Sequence, residues 1–309
     1  MLANFLDKTK PFIFVVLVGF FFLLYFSLIF FGGGTSMTTE ISFGSVLINV
    51  VLYAAVFFFF NFVIGKNNLT YDNAYAFYLF TIFVLILLDN PLDYEGPLLL
   101  LLQLLFLRKI YSLKSSKNVL QKLFDAGFWL AILCLLQPIF ILFWLLIIIA
   151  ILVHQKLTVH TIVAHIAGFL APVVITYAYH VWYGPIQVFE SLPTNQFQWD
   201  LAFFITGKVS YFIWIVLAMT LISLAIKSPF TLTFKNTFRR NWLVLLFHFL
   251  VVSMIVILLP NKSNFNLVYT LFPVTVIIAN GIELIEKRIA KDVLFYLLFL
   301  MAIGYAFYL

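Results

Sequence analysis

Three side chains in this sequence have the chemistry to work on a phosphate-bearing substrate: the carboxylate of Glu40, the ammonium of Lys208 and the imidazole of His180. A carboxylate can take the proton of an attacking hydroxyl. An ammonium holds a phosphate as a point charge, and an imidazole gains its charge near neutral pH. Glu40 sits in Gly-Gly-Gly-Thr-Ser-Met-Thr-Thr-Glu-Ile-Ser-Phe-Gly, whose glycines let backbone approach a ligand closely. A solvated loop acid is the plainer reading. His180 stands among Tyr177, Tyr179, Trp182 and Tyr183, a cluster that an aromatic belt at a membrane surface also explains. Lys208 follows a stretch, 183–207, without a single base. That stretch mixes Glu190 and Trp199 with several Phe residues. It reads either as a lid over the acyl chain of a substrate or as an interfacial anchor.

Other polar groups are less pointed. Asp89, Asp93 and Glu95 put three acids within seven residues, a set that could hold a divalent cation through oxygen ligands but lacks calcium-loop spacing. No other cofactor is implied. His160 and His165 are five residues apart, about 140° around a helix, which is poor geometry for two ligands of one metal. Within apolar runs lie Asn49, Gln103, Gln137, His165 and His248, each marking a helix–helix hydrogen bond or a pathway. His165 reads as a structural hydrogen bonder. No lone acid or base falls deep in a predicted helix, which counts against ion-coupled transport. Cys134 is the sole cysteine, so no internal disulfide can form. Nucleotide-binding and hydrolase signatures are missing as well.

The elements that must position these groups are membrane helices. Of 309 residues, 64% are hydrophobic and 10% charged, against about 25% charged in a soluble domain. Mean hydropathy is +1.12. The 39 Phe residues fit either aromatic packing or an AT-rich genome. The run 12–31 is too long for a secretory leader and lacks a small-residue cleavage site, so it reads as a retained first helix. Crossings are predicted at 11–32, 43–64, 74–89, 97–113, 126–137, 138–153, 159–182, 209–226, 242–260, 265–282 and 292–309. The segment 126–153 decides the threading. If it turns back at Gln137-Pro138 and crosses twice, 16 of the 18 Lys and Arg fall on one side; if it crosses once, the split is 10 to 8. The positive-inside rule selects the first. The fold is thus all-α, a polytopic transmembrane bundle of 9–11 helices in one membrane domain with no soluble domain. Its N-terminus is cytoplasmic and its C-terminus outside. A net charge of +6 then serves orientation, not nucleic-acid binding.

From Lys117 to Trp129, in Lys-Asn-Val-Leu-Gln-Lys-Leu-Phe-Asp-Ala-Gly-Phe-Trp, and through the apolar run bearing Pro138, the chain resembles an uncharacterised family of Phe-rich inner-membrane proteins of Bacteroidota. It also resembles, more loosely, multi-pass glycosyltransferases that use lipid-linked sugar donors, the GT-C type, in the outline from Lys122 to Lys156. That likeness implies a catalytic acid in the first outer loop, where Glu40 is the match. It departs from the type in lacking a paired Asp-Glu and an outer Arg. Three functions follow as expectations. The first is an envelope-assembly enzyme acting on a lipid-linked substrate at the outer leaflet, with Glu40 catalytic and His180, Lys208, Trp199 and Glu190 binding. The second is a non-catalytic subunit of a larger membrane complex, and the third a transporter or flippase.

Overall fold

The computed structural model describes residues 1–31, 43–184, 201–206, 209–233, 236–260 and 262–308. Among them there are thirteen α-helices and no strand. They are α1 (Leu2–Leu6), α2 (Pro11–Phe31), α3 (Phe43–Asn67), α4 (Tyr75–Ile86), α5 (Glu95–Tyr111), α6 (Val119–Leu136), α7 (Phe143–Val153) and α8 (Val159–Tyr183). After these come α9 (Ala202–Thr206), α10 (Ser210–Thr233), α11 (Asn236–Leu258), α12 (Leu271–Glu283) and α13 (Arg288–Tyr308). Eight helical stretches are long and apolar enough to cross a membrane, and Tyr75–Ile86 and Pro138–Val153 are shorter apolar helices. In hydrocarbon every backbone polar group must be satisfied within its own segment, which leaves the helix as the form for such runs. The chain is an all-α, multi-pass membrane protein.

The helices gather into two compact units. The first comprises Met1–Leu98, Gly207–Thr233 and Ser263–Leu309; the second comprises Leu99–Thr206 and Phe234–Lys262. At the centre of the first unit are α4, with every residue buried, and α12, buried from Leu271 to Ile282. A helix that is apolar all round belongs in a core. Phe and Tyr fill the space around them. Phe60 stacks on Phe80 with centroids 3.8 Å apart, and Phe57 meets Phe21 edge-on at 4.7 Å. Buried hydroxyls are satisfied by backbone: Tyr25 donates to the Pro91 carbonyl at 2.6 Å and Tyr78 to that of Phe295 at 2.7 Å. The chain's amino group and the Ala3 amide both bind Asp292, which ties α1 to the start of α13.

In the second unit α6 begins at Val119, earlier than its apolar stretch, because Asn118 takes the left-handed conformation (φ 51°) that starts the turn. It ends at Gln137, which is extended (φ −142°), as a residue before proline prefers. A short 3₁₀ turn, Pro138–Leu142, leads into α7. Both ends of this excursion return to one place: Lys122, early in α6, donates to Ser115, and Lys156, just past α7, donates to Ser116. The segment therefore doubles back. Helix α8 opens with a capping box in which the Thr158 hydroxyl accepts from the Thr161 amide and the Thr161 hydroxyl from the Thr158 amide. It buries only Thr161, His165, Gly168 and Pro172, a narrow stripe at heptad-like spacing. Against this stripe lies Gly127 of α6. A Cβ on Gly127 would overlap the His165 carbonyl, and one on Gly168 would overlap that of Phe124, so the two backbones touch where the glycines are.

Candidate functional sites

The first unit contains a buried ion pair that the sequence pattern did not reveal. Lys227 Nζ stands 3.4 Å from Glu283 Oε2, with side-chain exposures of 2% and 7%. The predicted crossing 209–226 ends its helix before Lys227 and leaves that lysine in a loop. In the structure α10 continues to Thr233 and carries Lys227 inward. The other carboxylate oxygen of Glu283 accepts from the Tyr71 amide at 3.0 Å and from Asn73 Nδ2 at 2.7 Å. The Lys227 ammonium also lies 4.9 Å from the Tyr71 ring centroid. One helical turn before Glu283, Asn280 donates to the carbonyls of Leu69 and Val276. The 69–73 connection is thus fastened to the last turn of α12 by hydrogen bonds, those to Glu283 charge-assisted, and Lys227 of α10 joins the network through Glu283. The distance in sequence is why pattern reading missed it: Tyr71, Lys227 and Glu283 are brought together only by the fold.

The second unit has a basic end. Lys122 Nζ donates to the Ser112 carbonyl at 2.7 Å, the Ser115 carbonyl at 3.2 Å and the Ser115 hydroxyl at 3.1 Å. Lys156 Nζ donates to the Ser116 hydroxyl at 2.6 Å, and Arg240 Nη2 to the Gln155 amide oxygen at 2.8 Å. Asp125 pairs with Lys109. Beside them His154 is buried, and its Nε2 finds no hydrogen-bond partner among the described residues. Burial, aided by the nearby charges of Arg240, Lys156 and Lys122, pushes its pKa down to about 4, so the ring is neutral at physiological pH.

Of the residues singled out from sequence, Glu40, Glu190, Trp199 and Lys208 lie outside the described residues. His180 is half-buried in the last turn of α8, its ring 6.4 Å from that of Tyr177. Around it Tyr177, Tyr179, Trp182 and Tyr183 are exposed, and α8 stops at Gly184, whose φ of 100° favours glycine. Asp89 accepts from Asn264 at 2.6 Å and Asp93 from the Glu95 amide at 3.1 Å. Among the described residues no three His, Cys, Asp or Glu side chains come together as a metal site. His165 hydrogen-bonds through Nδ1 to the Thr161 carbonyl at 2.9 Å, and His248 Nδ1 is 3.1 Å from the Tyr111 hydroxyl. Asn49 donates to the Ser45 carbonyl of its own helix at 3.1 Å.

Residues 1–308 match a family described as a family of unknown function, DUF6427. The chain belongs to this family. No curated protein and no solved structure matches it. The family carries no stated activity, so the functional reading rests on the side chains themselves.

Proposed function

We propose that the protein acts on a lipid-linked, phosphate-bearing substrate at the outer leaflet of a bacterial inner membrane, as an enzyme of cell-envelope assembly. The supporting observation is the end of α8. The imidazole of His180 is set among exposed Tyr and Trp rings that suit the level of lipid headgroups. In this reading the basic ends of the helices face the cytoplasm and the α8 aromatic end faces outward. Glu40 takes the proton of the acceptor hydroxyl as its oxygen bonds to the sugar carbon. The bond from that carbon to phosphate breaks, and the lipid phosphate leaves with the bonding electrons while held by His180 and Lys208. Glu190 and Trp199 border the acyl chain. The test is mass-spectrometric profiling of envelope glycans in Glu40→Gln and His180→Phe strains. Accumulated lipid-linked precursor in both supports the reading; unchanged glycans in both sink it.

A second reading is transport of a polar headgroup, favoured by the Lys227–Glu283 pair, since ionisable side chains buried between membrane helices commonly mark a pathway. Flux of a fluorescent lipid in reconstituted vesicles separates the two. Transport requires movement without chemical change and its loss in Glu283→Gln.

A further inference from the structure

The first unit has an acidic recess at the end opposite its bases. Phe14 of α2 lies against Phe77 of α4, with centroids 4.7 Å apart, and Tyr25 donates to the Pro91 carbonyl. Helix α4 therefore rises beside α2 and ends in the turn that carries Asp89, Asp93 and Glu95. Helix α2 continues six residues past Tyr25, to Phe31. Helix α3 runs antiparallel to it, with Phe57 meeting Phe21 and Tyr53 meeting Tyr25, and begins ten residues before Tyr53, at Phe43. At 1.5 Å per residue these two helices extend about 9 Å and about 15 Å beyond the two tyrosines, so the acidic turn lies below their ends. Asp89 accepts from Asn264, and one oxygen of Asp93 from the Glu95 amide. Among the described residues no cation pairs with any of the three acids. The described Lys and Arg of this unit belong to its other end: before α2, at the end of α3, beside Glu283 and around the start of α13.

Two buried groups on α3 face the same need. Tyr53 is fully buried, its hydroxyl has no hydrogen-bond partner among the described residues, and the Asp93 carboxylate acts on it through space. One turn nearer the start of α3, Asn49 is also fully buried; its amide N–H goes to Ser45 and its Oδ1 is left open. Residues four apart share one face of a helix. Buried polar atoms are normally satisfied, and carboxylates within a membrane are normally paired, so this end of the unit is short of donors and of positive charge. We infer that the recess binds a primary ammonium group, carried by the headgroup of an amine-bearing lipid or by a small soluble amine. Such a group brings one positive charge and three N–H donors, which suit the carboxylates of Asp93 and Glu95 and the oxygens of Asn49 and Tyr53. A quaternary ammonium brings the charge without the donors. A divalent metal fits less well: calcium takes roughly six to eight oxygen ligands, and no three acidic side chains converge among the described residues. The site uses none of Glu40, His180 and Lys208, so it stands or falls independently of the enzymatic reading.

The experiment uses full-length protein in nanodiscs of phosphatidylcholine, with and without phosphatidylethanolamine of the same acyl chains. The two headgroups have the same net charge and differ in their N–H donors. Free ethanolamine or magnesium is added to the phosphatidylcholine discs, and thermal unfolding is the readout. A ligand that binds the folded state alone raises the midpoint, here by roughly 3–6 °C at saturation. A rise with phosphatidylethanolamine only assigns the site to a lipid headgroup, and a rise with ethanolamine assigns it to the amine whatever carries it. Either rise must fall by at least half in Asp93→Asn/Glu95→Gln, two exposed positions at which asparagine keeps the acceptor of the turn. It must survive in Asp72→Asn/Glu286→Gln, which removes the same charge from exposed positions at the other end of the unit. Tyr53→Phe deletes the open hydroxyl and shrinks the rise, while the midpoint in phosphatidylcholine alone holds or climbs, because an unsatisfied buried group costs stability. If the acidic pair variant does not fold, Tyr53→Phe carries the test. A rise with magnesium alone, no rise with either amine, equal loss in both paired variants, or an undiminished rise in Tyr53→Phe overturns the proposal.

Discussion

In the first unit α4 is buried along its entire length, whereas α8 in the second buries four residues of twenty-five. The first arrangement is held by large side chains: stacked and edge-on rings of Phe21, Phe57, Phe60, Phe77 and Phe80 fill the space between helix axes. The second is held by the absence of side chains, with Gly127 and Gly168 letting backbones meet. Lipid tails are as apolar as leucine, so apolar area alone does not drive helices together in a bilayer, and close backbone contact has to do that. All-round cover has a further effect. The first unit can bury a Lys–Glu pair and satisfy it with loop amides, while the second keeps its charges at one end.

The largest expected effect breaks the first arrangement. Glu283→Leu leaves Lys227 buried without its partner and lowers stability by about 3–5 kcal/mol. Lys227→Met/Glu283→Leu regains most of that, measured as thermal unfolding in detergent; no recovery would mean that the pair's value lies in fastening residues 71–73. Next is Gly168→Ala, which puts a methyl into the Phe124 carbonyl and costs about 3 kcal/mol. An unchanged midpoint would mean that α6 and α8 separate freely. The third concerns His154. Its folded-state pKa is pushed below its ordinary value to about 4, so the unfolded chain binds the proton more readily. The stability it contributes is complete above about pH 6.5 and is lost as pH falls toward 4, roughly 1–3 kcal/mol. His154→Gln should flatten that slope in pH-dependent melts. The smallest is Thr158→Ala, which removes the α8 cap and costs about 1 kcal/mol, with no effect on the first unit.

The helical class was legible because hydrocarbon leaves the backbone so few options. The proline after Gln137 marks the place where the 119–153 segment reverses. The Lys227–Glu283 network was not legible. A lysine near a helix end looks solvated in any window of sequence, and its partners lie far away along the chain. The α6–α8 contact was hidden for a different reason: glycines occur in membrane helices for many purposes, and only two backbones in register show which ones meet. Glu40 and Lys208, which carry most of the enzymatic expectation, await mutagenesis.

The buried state of α4 also constrains how the protein is made. Twelve residues span about 18 Å, well short of a hydrocarbon core of about 30 Å. Its cover comes from α2 and α3, made before it, and from α12 and α13, made some two hundred residues later. During synthesis α4 therefore emerges from the ribosome long before half of its surroundings exist. Either the insertion machinery shelters it through that interval or it enters the bilayer late, together with α12. Helices α12 and α13 thus complete the centre of the first unit, and a chain stopped before Leu271 leaves α4 without that part of its cover.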